Sequence, residues 1–254
     1  AFSGTGSVTV GTAWQNAADN TGLGDSDTVA IDTLNPTVTV NIVDASLNDT
    51  DNNSLVTFTF SEAPTNFTVA DITPVGGLIT GFTTTADPLV YTATFTAIGS
   101  FSGTGSITVD TAWQDAAGNT GGGGSDTVAI DTLNPTVTVN IVDASLNDTD
   151  NNSLVTFTFS EIPTNFTLAD ITPVGGSITG FTTTASPFVY AATFTATSAF
   201  SGTGSVTVGT AWQDAAGNTG VGGSDTVAVD TLNPTVTVNI VDASLSDADN
   251  VSDV

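Results

Sequence analysis

The side chains able to do chemistry in this sequence are nearly all carboxylates. Its 254 residues include 26 acidic side chains and no lysine, arginine, histidine or cysteine, for a formal charge of −26. A Ser-His or Cys-His nucleophile therefore lacks its base, and no thiolate or imidazole metal site or disulfide can form. What remains is oxygen chemistry, and its natural partner is a hard cation, above all Ca2+, which takes six to eight oxygen ligands. The same composition excludes phosphate neutralisation, and with it nucleic-acid binding. It equally excludes electrostatic attachment to anionic membranes. No stretch approaches 18 consecutive apolar residues, so membrane insertion is not expected. No basic-headed signal peptide is present.

The acids must be positioned by something, and internal repetition supplies it. FSGTGSVTV from Phe2 recurs as FSGTGSITV from Phe101 and again from Phe200; DTLNPTVTVNIVDASL begins at Asp32, Asp131 and Asp230. The period is 99 residues each time, and Asp32–Ile130 differs from Asp131–Val229 at 13 of 99 positions. The reading is thus the C-terminal part of a repeat at 1–31, complete repeats at 32–130 and 131–229, and the N-terminal part of another at 230–254. It has the form of a window on a longer array. Within a repeat, Val38, Val40 and Ile42 alternate with polar residues; so do Val56, Phe58 and Phe60, and Leu89, Tyr91, Ala93, Phe95 and Ala97. Shorter strands fit Val69–Pro74, Leu78–Thr84, Gly105–Val109 and Ser125–Ile130. About seven strands of period two, separated by Gly/Pro/Asn/Asp turns, predict an all-β fold of tandem immunoglobulin-like sandwiches. Trp113 and Phe101 are expected in or beside the core.

Strands alternating up and down the sandwich sort the acids by pole. Asp32 at the start of the first strand, Glu62 and Asp71 in the second–third loop, and Asp115 and Asn119 in the sixth–seventh loop converge on one pole. Their counterparts are Asp131, Glu161, Asp170, Asp214 and Asn218, and Glu62 and Glu161 are the only glutamates in the chain. Carboxylates crowded there without a basic partner repel, and a divalent cation resolves the repulsion. A second cluster lies in the first–second loop: Asp44, Asp49 and Asp51, repeated as Asp143, Asp148 and Asp150. Asp49-x-Asp51-x-Asn53 resembles the first half of an EF-hand loop but lacks its glycine and terminal glutamate. This pole is expected to face the next repeat through the short linker Asp131–Pro135, where Ca2+ would lock neighbouring repeats together. Turn chemistry stands beside the metal reading, since Asp115-x-x-Gly118-Asn119 also fits a tight turn with Gly118 at positive φ. Asp87, Asp110 and Asp126 read as solvated.

DTLNPTVTV, VTFTFSEAP, FTVAD, YTATFT and WQDAAGNT, in that order and at a fixed period, resemble the bacterial Ig-like tandem repeats of giant RTX and biofilm-type surface adhesins. The resemblance covers the whole chain. It implies an extracellular extender rod, often rigidified by Ca2+, with Glu62, Asp71, Asp115, Asn119 and the linker Asp131 matching the family's acidic positions. Neighbouring repeats of the same chain are the first partners; lateral copies of itself are the second. The adhesive target lies outside the sequence. A self-assembling extracellular filament or surface-layer protein is the alternative, followed by a carbohydrate- or ice-binding module using Thr-x-Thr runs such as Thr92–Thr96. Threonine's preference for the solvent face of strands explains those runs more simply. An enzyme with paired carboxylates finds no aromatic cleft around Glu62 and Asp71 and is not expected.

Overall fold

Alternating β-branched or aromatic residues with threonine gives each segment one face to bury and one to leave in water. In the computed structural model, which describes residues 1–248 and 250–251, the burial follows that alternation. The first strands, β1 (Ser3–Val10) and β2 (Asp25–Asp32), form a two-stranded antiparallel sheet of their own. The first complete repeat contains β3 (Val38–Ile42), β4 (Ser46–Leu47), β5 (Asn53–Phe60), β6 (Ile72–Val75), β7 (Gly77–Thr84), β8 (Val90–Ala97), β9 (Ser102–Val109) and β10 (Gly124–Asp131). The second repeats the set as β11 (Val137–Ile141), β12 (Ser145–Asn147), β13 (Asn152–Phe159), β14 (Ile171–Val174), β15 (Gly176–Thr183), β16 (Val189–Ala196), β17 (Ser201–Val208) and β18 (Gly223–Asp230). The chain divides into two compact units at Asn134–Pro135.

Each repeat packs two four-stranded sheets, β3-β5-β8-β7 against β4-β10-β9-β6 in the first and β11-β13-β16-β15 against β12-β18-β17-β14 in the second. This is the strand distribution of an immunoglobulin-like sandwich. Two details differ from the sequence-based expectation. The third strand starts only at Ile72, because Val69–Asp71 is a turn of 3-10 helix. An additional strand, β4, lies parallel to β10 with Ser46 beside Ala129 and Leu47 beside Ile130.

Both cores lack a disulfide and are closed by packing alone. Val56, Phe58, Phe95, Ile107, Val109 and Trp113 are 1% exposed or less, and each large side chain so buried contributes about 1.5–3 kcal/mol. One end of the core is an aromatic cluster. Phe60 meets Trp113 edge-on at 4.8 Å and Phe67 at 4.9 Å, and Phe82 stacks on Tyr91 at 5.7 Å. These offset and edge-on contacts suit the ring quadrupoles. Gly121 makes room for the indole: a Cβ there would stand 2.1 Å from the Trp113 ring.

Residues 36–47 run as a strap along β10 and tie one sheet to the other. Gly122 donates its N–H to the Pro36 carbonyl at 2.8 Å, and Ala129 donates to Ala45 at 3.4 Å. Between them the Ile42 N–H donates to Asp126 Oδ2 at 2.8 Å, while Asp126 Oδ1 accepts from Thr127. Asp126 is therefore a structural acceptor at the sheet-to-sheet seam and not a solvated strand-end acid. The second repeat reproduces the strap through Val221 to Pro135, Ile141 to Asp225 and Ala228 to Ala144.

Candidate metal centre

Three strand ends and loops bring carboxylates together in the first unit. Asp32 closes β2, and its Oδ1 accepts from the Leu34 N–H at 3.2 Å. Glu62 follows β5 immediately after Ser61, which is fixed by donating its N–H to Thr37 and accepting the Thr37 N–H on Oγ at 2.9 Å. Asp115 opens the loop between β9 and β10. Thr65 ties that loop to the Glu62 loop by donating its N–H to the Gln114 carbonyl and its hydroxyl to the Asp115 carbonyl, and Gln114 donates its N–H to Asn66 Oδ1. One carboxylate oxygen each from Asp32, Glu62 and Asp115 lies within 4.8 Å of the others. Asp32 and Glu62 are half-buried and Asp115 is buried.

The three acids are held differently. Asp115 Oδ1 accepts from the Asn119 N–H at 2.9 Å and Oδ2 from Asn119 Nδ2 at 2.8 Å, within a turn that Gly118 closes at φ +88°. Burial is the largest influence on this carboxyl and pushes its pKa up. The Asn119 side chain and the N–H groups of Asn119, Ala117 and Gly118 together outweigh it, and the pKa ends below the usual aspartate value. Glu62 goes the other way. Partial desolvation raises its pKa, and the charges of Asp32 and then Asp115 raise it further. The site therefore contains a preset anion, Asp115, beside a glutamate that ionises against its neighbours. The donor set is three carboxylates in a chain without one basic side chain, which fits a hard divalent cation.

Two of the five residues expected at this pole play other parts. Asp71 stands outside the trio: its Oδ2 accepts the Thr68 N–H at 2.7 Å and the Thr68 hydroxyl at 3.1 Å, a capping box on the 3-10 turn. Asp170 makes the same bonds to Thr167. Asn119 acts on the site through Asp115. Of the counterparts in the second repeat's sequence, Glu161 and Asp214 lie in the second unit with carboxylate oxygens within 4.8 Å of each other; Asp131, the counterpart of Asp32, ends β10 in the first unit, and Asn218 is buried.

The first–second loop is organised by asparagine. Asn48 Oδ1 accepts from the Thr50 N–H, the Thr50 hydroxyl and the Asp51 N–H, and Asn147 Oδ1 does the same for Thr149 and Asp150. Asp49 Oδ2 accepts from Asn134 Nδ2 at 2.7 Å. Asp44 and Asp143 are half-buried, and each donates its N–H to a serine hydroxyl, Ser54 or Ser153. Asp51, Asp148 and Asp150 are exposed. Among the described residues, Asp44, Asp49, Asp51, Asp143, Asp148 and Asp150 belong to no group of three acids like that around Glu62.

Tandem antiparallel sandwiches with acidic loop ends define the class as repeated immunoglobulin-like domains. Residues 32–130 and 131–229 each match the bacterial Ig-like domain family, and the chain belongs to that family. No curated protein matches the chain. Among solved structures, it is similar to the Escherichia coli adhesin FdeC, with 14% identity over 78% of this chain and 65% of that one, at a TM-score of 0.32. InvD of Yersinia pseudotuberculosis is 22% identical over 87% of this chain and 67% of that one, at a TM-score of 0.30. Invasin, a bacterial integrin-binding protein, is 17% identical over 82% and 43%, at a TM-score of 0.40. The chain thus spans less than two thirds of the FdeC and invasin chains. Among the described residues, no helix is long and apolar enough to cross a membrane.

Proposed function

We propose that the chain is a stalk segment of an extracellular bacterial surface adhesin, a tandem spacer of the RTX or biofilm type whose sandwiches are stiffened by Ca2+. The Asp32–Glu62–Asp115 trio carries the calcium reading: three acids brought together from separate loops, without a counter-charge, at a place the tandem period reproduces in its residues. The spacer reading rests on family membership and on two complete repeats that differ at 13 of 99 positions. Near-identity suits a part whose length matters more than any unique surface.

The test is a titration of the chelated protein with Ca2+, following the melting temperature and the radius of gyration. At a hundredfold excess over Kd, a cation bound only by the folded state raises the melting point of a 100-residue unit by roughly 10–20 °C. Glu62→Gln should remove that gain from the first repeat and leave the second repeat's transition in place. A melting curve and radius of gyration indifferent to both Ca2+ and chelator would refute the calcium part and leave an uncoordinated spacer.

A further inference from the structure

The chain leaves the first unit and enters the second with almost no free length. Thr132 is 3% exposed, and its polar groups are all engaged. Its N–H donates to the Phe101 carbonyl at 2.8 Å, and its carbonyl accepts the Ser100 N–H at 3.3 Å. Its hydroxyl accepts the Phe101 N–H at 3.1 Å and donates to the Ile98 carbonyl at 2.7 Å. The exit from β10 is thereby pinned to the turn between β8 and β9, and Thr231 is pinned in the same way to Phe200 and Thr197. Leu133 follows, its N–H aimed at Asp131 Oδ1 at 3.4 Å. Asn134, the last residue of the first unit, donates from Nδ2 to Asp49 Oδ2 at 2.7 Å, a bond that the carboxylate charge strengthens. The next residue is already tied to the second unit. The Pro135 carbonyl accepts the Val221 N–H at 2.8 Å, and Thr136 donates its N–H to Ser160 Oγ at 2.8 Å. The proline ring fixes φ at 135 and keeps the backbone of Asn134 extended.

We propose that the Asn134–Asp49 bond is a latch on the joint between tandem repeats, one that limits bending there without any cation. The inference rests on the spacer reading and adds a source of stiffness separate from the carboxylate trio. A Gly/Ser linker would leave such a joint a flexible coil. Here Thr132 and Pro135 hold the chain on either side, and the Asn134 side chain takes up the slack that Leu133 leaves. Asp49 serves as a hydrogen-bond acceptor where its sequence suggested a metal ligand. The pair recurs in sequence as Asp148 and Asn233, so every period carries the parts of the latch.

The chain has no cysteine, so Thr59→Cys with Thr158→Cys places one spin label on an exposed strand position of each unit. Pulsed electron–electron distance measurement on the whole chain in excess chelator should give one narrow distribution. Asn134→Ala should raise the population of unlatched joints about 10- to 100-fold, the worth of one hydrogen bond to a charged group, and add a broad component. Asp49→Ala should do the same, and the double variant no more than either alone, because a single bond is lost in all three. Asp49→Asn keeps an acceptor oxygen and should restore most of the narrow component. Asn233→Ala, the same change outside the labelled span, should leave the distribution untouched. Melting temperatures should move little throughout, since Asp49 and Asn134 are half-buried and lie outside strands. A distribution that Asn134→Ala leaves narrow would overturn the latch. So would a native distribution that is broad in chelator and narrows only with Ca2+, a result that leaves the calcium reading standing.

Discussion

Removing the Asp126 carboxylate, together with its twin Asp225, probes the seam between the sheets. Ile42 is 5% exposed, and its N–H donates to Asp126 Oδ2 at 2.8 Å. Alanine at 126 deprives that amide of its acceptor and the Thr127 N–H of its own. A hydrogen bond to a charged group contributes about 1.5–3 kcal/mol, and a buried donor left without a partner costs a similar amount. We take about 2 kcal/mol per repeat, because the Thr127 amide is exposed and regains water. For a unit of about 100 residues this lowers the melting temperature by roughly 8–16 °C. Asparagine keeps one acceptor oxygen where aspartate has two, so Asp126→Asn with Asp225→Asn should fall about halfway. The assay is thermal and urea unfolding in excess chelator, with both repeats substituted so that one transition reports. A fall of less than about 2 °C for the alanine pair would show that water serves Ile42 equally well and refute the seam.

Glu62→Gln should raise the melting temperature in chelator, since it deletes the charge that Asp32 and Asp115 oppose, while abolishing any gain from Ca2+ in that repeat. The pH dependence follows from the signs. Glu62 has a folded pKa above its ordinary 4.5, so metal-free stability is greatest below that value and declines as pH rises through the folded one; Asp115, with a depressed pKa, contributes stability above 3.8 that is lost on further acidification. Carboxyl NMR titration in chelator should place Glu62 above 4.5 and Asp115 below 3.8. Gly121→Ala drives a Cβ into the buried Trp113 indole and should cost about 1–3 kcal/mol by urea unfolding, whereas Gly99→Ala, with nothing within 4 Å, should be near neutral. Phe58→Ala should cost about 3–5 kcal/mol by the same measurement, since Phe58 is fully buried and packs against the Phe67 and Phe82 rings.

The long strands were legible because alternation over five to eight residues leaves one register that buries Val, Ile and Phe. β4 was not, since two residues cannot alternate; its mark is Leu47, an apolar residue among loop acids that turns out 2% exposed. At the pole, chain direction alone was enough to bring Asp32, Glu62 and Asp115 together. Asp71 reads as a ligand when an acid in a loop is weighed alone, but Thr68-x-x-Asp71 also spells the capping box that the structure shows. Asp126 was misread for a related reason. It shares parity with Val128 and Ile130 and so faces the opposite sheet, a fact its charge obscured. In the first–second loop the aspartates drew attention from Asn48, whose amide oxygen organises the turn.

The strap has a mechanical meaning as well. Tension on a tandem array enters each repeat just ahead of residues 36–47 and leaves through β10. The bonds at Gly122, Asp126 and Ala129 lie across that direction, so the load slides the two segments past each other and strains all three bonds at once. A hairpin opened from its end would lose its bonds singly and at low force. Each sandwich here should instead hold until the whole clamp fails in one step, and the sequence carries a copy of that clamp in every period.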